Sequence, residues 1–217
     1  MDKQRFRLGG VPVLAHSVAA LGRSGLVREL VLVARREDIS DFQALCGGMN
    51  LPVPVKVTEG GAQRQDSVFA GVKACDNRAE YYAIHDGARP FIRQSEIAAC
   101  IELAATHGAA AVGVRVKDTI KQVDETGQIV GTPPRESLMA IQTPQIFEAA
   151  LYHKAMDAAH NAGKYYTDDC QLVEQLGVPV YVSPGSYDNI KLTTPEDLAL
   201  AEQIYRRISN EKGWLPQ

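Results

Sequence analysis

Apolar residues along this chain alternate between two rhythms, one of period about 3.6 and one of short β-branched runs. Residues 12–21 show the helical rhythm, with Pro12 in the first turn. Residues 28–34 (RELVLVA) form an apolar run expected to be a buried strand, and residues 37–46 are again helical, stopped by Gly47-Gly48. Residues 53–57 alternate like a strand. Gly60-Gly61 follows, then a helix over 63–74, and then a strand over 81–85 (YYAIH) that runs into Asp86-Gly87-Ala88-Arg89-Pro90. Ser95 is placed to cap a helix over 96–106, and 110–116 reads as a further strand. Strict strand–helix alternation predicts an α/β fold: a Rossmann-like, mostly parallel sheet with helices on both faces. In such sheets ligands bind at the carboxyl ends of the strands, so chemistry is expected in the loops that follow them.

The alternation breaks at residues 119–132. Two polar, β-rich runs, 119–123 and 128–132, flank Asp124-Glu125-Thr126-Gly127 and predict a β-hairpin with glycine in the left-handed region. An isolated hairpin is marginal in water. This one is therefore expected to pack on something, most simply a second subunit, the alternative being its own domain. Helices follow over 148–162 and 168–176, the latter with Thr167 as cap and Asp168 and Asp169 in its first turn. A strand over 178–182 and a short extended segment over 189–192 precede a last helix, capped by Thr194 with Pro195 first, running to 208. The tail from Ser209 is expected to fray. One domain over residues 1–217, with a hairpin arm at about 118–136, is the simplest organisation.

Composition narrows the function. In 217 residues there are 23 Lys plus Arg against 26 Asp plus Glu, a net charge of −3. A globally basic nucleic-acid binder is excluded, while a local basic pocket is not. No run of about 18 apolar residues exists, so no membrane span is expected. Cys46, Cys75, Cys100 and Cys170 form neither a CxxC pair nor a zinc-spaced cluster, and read as small buried hydrophobes in a cytoplasmic protein. No GxGxxG follows a strand, which argues against a nicotinamide cofactor.

Polar and basic residues gather where the strands end. Gly60-Gly61 closes one strand and the next helix opens with Arg64 and Ser67, which suits either a close backbone approach to an anion or a plain β–α turn. Asp86, immediately after a buried strand, suits a residue that orients a hydroxyl or holds a metal-bound water, or else caps its own turn. Arg89 reads as a local partner there. Thr143 precedes Pro144 and is pushed extended, which restricts its hydroxyl. Lys191, just before the final helix, is either a ligand or a solvated surface lysine.

Taken in order, KQRF…GGVPVLAHS, GGAQRQDSV, HDGARPF, KDTIK, R…QTPQIF, TDD and DNIKLTTPEDL resemble the 2-C-methyl-D-erythritol 4-phosphate cytidylyltransferases, from Lys3 to about residue 208. The resemblance implies transfer of a cytidylyl group from CTP to the substrate phosphate, release of pyrophosphate and a need for Mg²⁺. It implies that Lys3, Arg135 and Lys191 are catalytic. Gly61, Ala62 and Ser67 then match the positions that recognise the base, with Arg64 supporting that loop and Asp86 and Gly87 forming the ribose and catalytic edge. Thr119, Arg135, Thr143 and Lys191 resemble the methylerythritol phosphate site, and Asp188 has a supporting role. By the same resemblance the hairpin is a dimerisation arm that carries Arg135 to the neighbouring subunit's site in a homodimer, with no nucleic-acid or membrane partner.

Two departures from the family pattern stand out. Ala62 replaces an acidic residue seen in some members, so base recognition there is expected to rest on backbone groups. The family also opens with a strand and a glycine-rich loop of the form PAAGxGxRM. Nothing before Lys3 supplies either, and the chain as written is expected to lack the triphosphate cradle and to turn over CTP poorly. Ribitol 5-phosphate cytidylyltransferases share most of these motifs, and an impaired CTP-binding paralogue is a further alternative.

Overall fold

A computed structural model describes residues 6–209; Lys3 lies outside the described residues. In chain order the elements are β1 (Arg7–Leu8), β2 (Val11–Pro12), α1 (Val13–Gly22), β3 (Leu30–Ala34), α2 (Ile39–Gly47), β4 (Val55–Glu59), α3 (Arg64–Ala74), β5 (Tyr81–Ile84), α4 (Gln94–His107), β6 (Ala109–Arg115), β7 (Gln122–Val123), β8 (Ile129–Gly131), β9 (Met139–Glu148), α5 (Ala149–Ala162), α6 (Asp169–Glu174), β10 (Tyr181–Pro184) and α7 (Pro195–Ser209).

The central sheet has four strands in the order β10-β6-β9-β5. Strand β10 runs parallel to β6, and both β6 and β5 pair antiparallel with β9, so β5, β6 and β10 share one direction and β9 opposes them. A second, parallel pair is made by β3 and β4. The expected Rossmann-like class stands, and the reversed β9 is the element that the alternation did not predict.

Side chains alternate across the central sheet as the strand period requires. Ala110, Val112 and Ile146 pack on Cys100 and Ala104 of α4. Their neighbours Ala109, Ala111 and Phe147 face the other way, onto Tyr152, Ala155 and Ala159 of α5 and Leu172 and Val173 of α6. Helices therefore cover both faces. The β3–β4 pair repeats the arrangement, with Leu30, Leu32 and Ala34 against Leu14 and Val18 of α1 and Phe42 of α2. A third cluster, Leu8, Val13, Phe91, Leu192, Ala201, Ile204 and Ile208, seats α7 against β1–β2 and the loop after β5.

Several predicted boundaries move for identifiable reasons. Helix α4 begins at Gln94, not after Ser95, because the Glu96 carboxylate accepts the Arg93 N–H at 2.9 Å and makes Arg93 the cap. Helix α6 is capped by Asp168 rather than Thr167, since the Asp168 carboxylate takes the Gln171 N–H at 2.9 Å. It stops at Glu174, where Gly177 turns the chain at φ 74°. Strand β10 starts at Tyr181 because pairing with β6 begins there. Residues 189–192 form no strand; they are tied to the loop after β5 by Leu192 N–H to Ala88 O, 2.9 Å. The hairpin turns as expected, with Gly127 at φ 85° and Asp124 Oδ1 accepting the Thr126 and Gln128 amides at 2.9 and 3.0 Å.

Candidate active site

Strand β9 contributes a bulge. Its register against β6 passes from Ala111↔Gln145 to Gly113↔Ile141, two residues on β6 against four on β9. The surplus lies at Gln142, Thr143 and Pro144, and a bulge of this kind re-aims side chains. Gln142, Thr143 and Gln145 are all buried. Each is satisfied by a loop at the sheet's edge, which is why polar residues persist in a central strand.

The Gln142 Nε2 donates to the Ser186 carbonyl at 2.9 Å, and its Oε1 accepts from Asn189 Nδ2 at 3.1 Å. Asn189, fully buried, also donates to the Thr143 carbonyl at 3.0 Å. These bonds fix the loop after β10, the loop that carries Lys191. Gln145 accepts the Asp169 and Cys170 amides at 3.1 and 3.2 Å and donates to Asp168 at 3.0 Å, so a strand side chain caps α6.

Asp86, at the carboxyl end of β5, is the centre of the arrangement. Its carboxylate lies 3.0 Å from Lys191 Nζ and 3.5 Å from Arg89 Nε. Burial alone pushes the Asp86 carboxyl up, but Lys191, then Arg89 and Arg64, outweigh it and hold the group below its usual range. Asp86 is therefore ionised and ringed by three cations. Its backbone N–H donates to Thr143 Oγ1 at 3.0 Å, and that hydroxyl lies 3.0 Å from His85 Nδ1. The His85 Nε2 sits 3.1 Å from the Arg89 carbonyl, and Arg89 Nη1 donates to the Asn189 carbonyl at 2.8 Å. Gly87 is held from α1, where the Ser17 hydroxyl donates to its carbonyl at 2.9 Å.

Arg64 enters from the first turn of α3. Its guanidinium is bound at 2.7 Å by Asp169, a carboxylate only 2% exposed that also accepts from the Tyr152 hydroxyl. In front of Arg64, the Gly60-Gly61 turn folds back on the helix. The Ser67 hydroxyl donates to Gln63 O at 3.0 Å and accepts the Gly61 N–H at 3.2 Å. A Cβ on Gly60 would come within 2.7 Å of Ser67 Oγ, and one on Gly61 would collide with Asp66, so the turn admits only glycine at both positions. Ala62 is exposed at its tip.

The structure thus brings together Arg64, Asp86, Thr143 and Lys191, with Gly61, Ser67 and Gly87 in the adjoining turns. Thr143 is 4% exposed and its hydroxyl is bonded on both sides. Asp188 is engaged by Arg93 at 3.0 Å and Arg207 at 2.5 Å, and holds α7 to the start of α4. Thr119 and Arg135 are exposed on the arm. Arg135 donates to the Lys117 carbonyl at 2.9 Å, and among the described residues neither is bonded to the Asp86 cluster.

Four positioning groups escaped the sequence reading: Gln142, Gln145, Asp169 and Asn189. Their signal was present in the polar positions of the run 139–148 and in the Asn of DNIK. His85, too, stood in HDGARP without a role.

Known proteins resemble the chain over nearly its whole length. A family profile described as IspD, 2-C-methyl-D-erythritol 4-phosphate cytidylyltransferase, matches residues 1–207. The 2-C-methyl-D-erythritol 4-phosphate cytidylyltransferase of Halalkalibacterium halodurans is 45% identical over 203 residues, 94% of this chain and 88% of that protein. That of Desulforamulus reducens is 43% identical over 208 residues, covering 95% and 89%. A solved structure of 4-diphosphocytidyl-2C-methyl-D-erythritol synthase from Anaerococcus prevotii superposes with a TM-score of 0.88 at 30% identity, covering 94% of this chain and 93% of that one. The Thermus thermophilus 2-C-methyl-D-erythritol 4-phosphate cytidylyltransferase gives 0.78 at 32% identity, covering 94% and 93%. The chain belongs to the 2-C-methyl-D-erythritol 4-phosphate cytidylyltransferase family and is an enzyme of the nucleotidyltransferase class.

Proposed function

We propose that the protein transfers CMP from CTP to the phosphate of 2-C-methyl-D-erythritol 4-phosphate. A phosphate oxygen of the acceptor attacks the α-phosphorus in line, the α–β phosphoanhydride bond breaks, and its electrons leave with pyrophosphate. Such a reaction asks a protein mainly for positioning and for positive charge where negative charge gathers. The observation that carries the reading is the set of Lys191, Arg89 and Arg64 around an ionised Asp86 at the strand ends. Lys191 supplies a point charge and Arg64 a planar fork. The Gly60-Gly61 turn exposes backbone groups that suit a base, with Gly61, Ala62 and Ser67 in that role and Gly87 beside the ribose. The relatives above, named for this substrate, do not favour the ribitol 5-phosphate alternative.

Magnesium fits as an ion carried in with the triphosphate. Among the described residues no group of three or more His, Cys, Asp or Glu forms a resident cage. Asp86 offers one ionised hard-oxygen donor, and Mg²⁺ typically takes one or two carboxylates alongside substrate phosphates. Bound there, the ion would neutralise phosphate charge, and Asp86 is the residue that would hold it.

The arm supports a homodimer in which Thr119 and Arg135 act on the neighbouring site. Val123, Ile129 and Val130 are 58%, 57% and 61% exposed, an apolar surface that this chain leaves uncovered. Lys3 keeps its reading as a triphosphate ligand. The four free cysteines support a cytoplasmic setting. Among the described residues no helix is long and apolar enough to cross a membrane. The test is pyrophosphate release by the intact natural protein. Release that requires both CTP and 2-C-methyl-D-erythritol 4-phosphate is expected, and a preference for ribitol 5-phosphate or for another nucleotide overturns the reading.

A further inference from the structure

The turn that carries Asp86 is closed by its own Arg89 N–H to Asp86 O bond, 3.0 Å. One imidazole reaches both ends of it. At one end His85 Nε2 meets the Arg89 carbonyl; at the other, Nδ1 meets the Thr143 hydroxyl, which is itself bonded to the Asp86 amide. A carbonyl only accepts, so Nε2 must carry a proton. In the neutral ring Nδ1 then accepts, so the Thr143 hydroxyl must spend its proton there. That leaves a Thr143 lone pair to take the Asp86 N–H. Every donor and acceptor in the chain has one direction.

We infer that His85 is a positioning residue of the transfer reaction, acting through a single tautomer whose Nδ1 orients Thr143 and whose Nε2 holds the Arg89 carbonyl, so that the Asp86–Arg89 turn meets the substrates in one geometry. The inference rests on the proposed transfer reaction. A turn stapled at both ends holds the Asp86 carboxylate against Lys191 and the Arg89 side chain against Asn189, so loosening it should disturb turnover more than binding.

Asparagine and glutamine separate the two bonds. Asparagine places its amide oxygen where Nδ1 stands, and glutamine places its amide nitrogen where Nε2 stands. With CTP and 2-C-methyl-D-erythritol 4-phosphate, His85→Ala is expected to lower kcat by about 10- to 100-fold, with each KM within about threefold of the natural enzyme's. His85→Asn and His85→Gln should fall between, each by less than His85→Ala. Losses that appear in KM alone, or an unchanged kcat in all three, overturn the inference.

Nitrogen-15 shifts of the His85 ring in the unliganded protein test the tautomer without any turnover. A protonated Nε2 and an unprotonated Nδ1 at neutral pH support the inference; the reverse tautomer or a doubly protonated ring overturns it. If the natural protein releases no pyrophosphate from these substrates, the proposed reaction fails on that result, while the ring's tautomer still decides whether the staple exists.

Discussion

The Asp86 cluster and the hairpin arm are built on opposite plans. The cluster draws on the loops after β4, β5 and β10 and on the bulge of β9, and nearly every polar atom in it has a partner from a distant part of the chain. The arm is two strands of two and three residues that pair only with each other and expose Val123, Ile129 and Val130. A site residue in the cluster is held by one copy of the protein. Arg135 and Thr119 are exposed on the arm, with Arg135 bonded only to the Lys117 carbonyl among the described residues, and the role proposed for them needs a surface from a second copy. The sharpest tests separate the two regions.

The largest effect belongs to the cluster. Lys191→Met removes a charge 3.0 Å from Asp86 while keeping much of the stem. It should lower kcat by about 10²- to 10³-fold, the scale of one lost electrostatic contact to a transition state. Steady-state kinetics check this, and a loss confined to the KM for CTP would move Lys191 from the reacting centre to ground-state binding.

Arg135→Ala should lower turnover by about 10- to 100-fold with the thermal midpoint shifted by less than about 2 °C, because an exposed arm residue supports little core. Mixing makes the comparison decisive. If the arm crosses between subunits, random re-pairing of Lys191→Met with Arg135→Ala chains restores about a quarter of the natural rate: half of the pairs are mixed, and each mixed pair has one intact site. If Arg135 serves its own subunit, mixing restores nothing. Val130→Asp should separate the subunits in sedimentation and lower activity with them.

A stability effect comes next. Asp169→Asn leaves Arg64 without its counter-charge and alters the group facing the Tyr152 hydroxyl, in a position only 2% exposed. Arg64 is 39% exposed and retains some hydration. A cost of about 2 kcal/mol in denaturant unfolding is expected. The same change placed on the exposed arm, Asp124→Asn, should move the unfolding midpoint far less.

How much of this was visible in the residues follows the same division. The strand–helix alternation and the hairpin turn were legible because they are local: β-branched runs, helical spacing and Gly127 each act within a few residues. Strand β9 was not, because Pro144 and the buried Gln142, Thr143 and Gln145 contradict the apolar pattern of a central strand. Those residues make sense only with their partners at Asn189, Ser186, Asp86 and Asp168, 23 to 57 positions away. Asp86 was readable from its place at the end of β5, whereas Lys191, in a segment that forms no strand, was open between ligand and surface on its own residues and was singled out only by the family resemblance. Asp169 was readable as an acidic first-turn residue, but its partner Arg64 lies 105 positions off and no spacing rule connects them.

The last test is a pH dependence to which the cluster contributes through His85. The folded His85 imidazole takes up a proton only near pH 4, against an ordinary value of 6.5. Between those values the unfolded chain binds more protons than the folded one, so stability must fall as the pH drops. The loss should amount to about 1–2 kcal/mol by pH 4, allowing for partial hydration of the turn. The carboxylates behave otherwise. Burial raises the Asp86 carboxyl but Lys191, Arg89 and Arg64 together more than offset it, and in the arm Thr126 and Gln128 hydrogen bonds hold Asp124 low. A depressed carboxylate keeps its contribution until the pH falls below the ordinary value of 3.8, so neither group responds in the His85 window. Burial also holds His16 below its ordinary value, so unfolding midpoints measured from pH 7 to pH 4 report both rings, and His85→Asn should make that limb shallower while leaving the fall below pH 4 in place. An unchanged slope in His85→Asn would mean that the ring is not held neutral by the fold, and that the turn carrying Asp86 is less enclosed than its hydrogen bonds require.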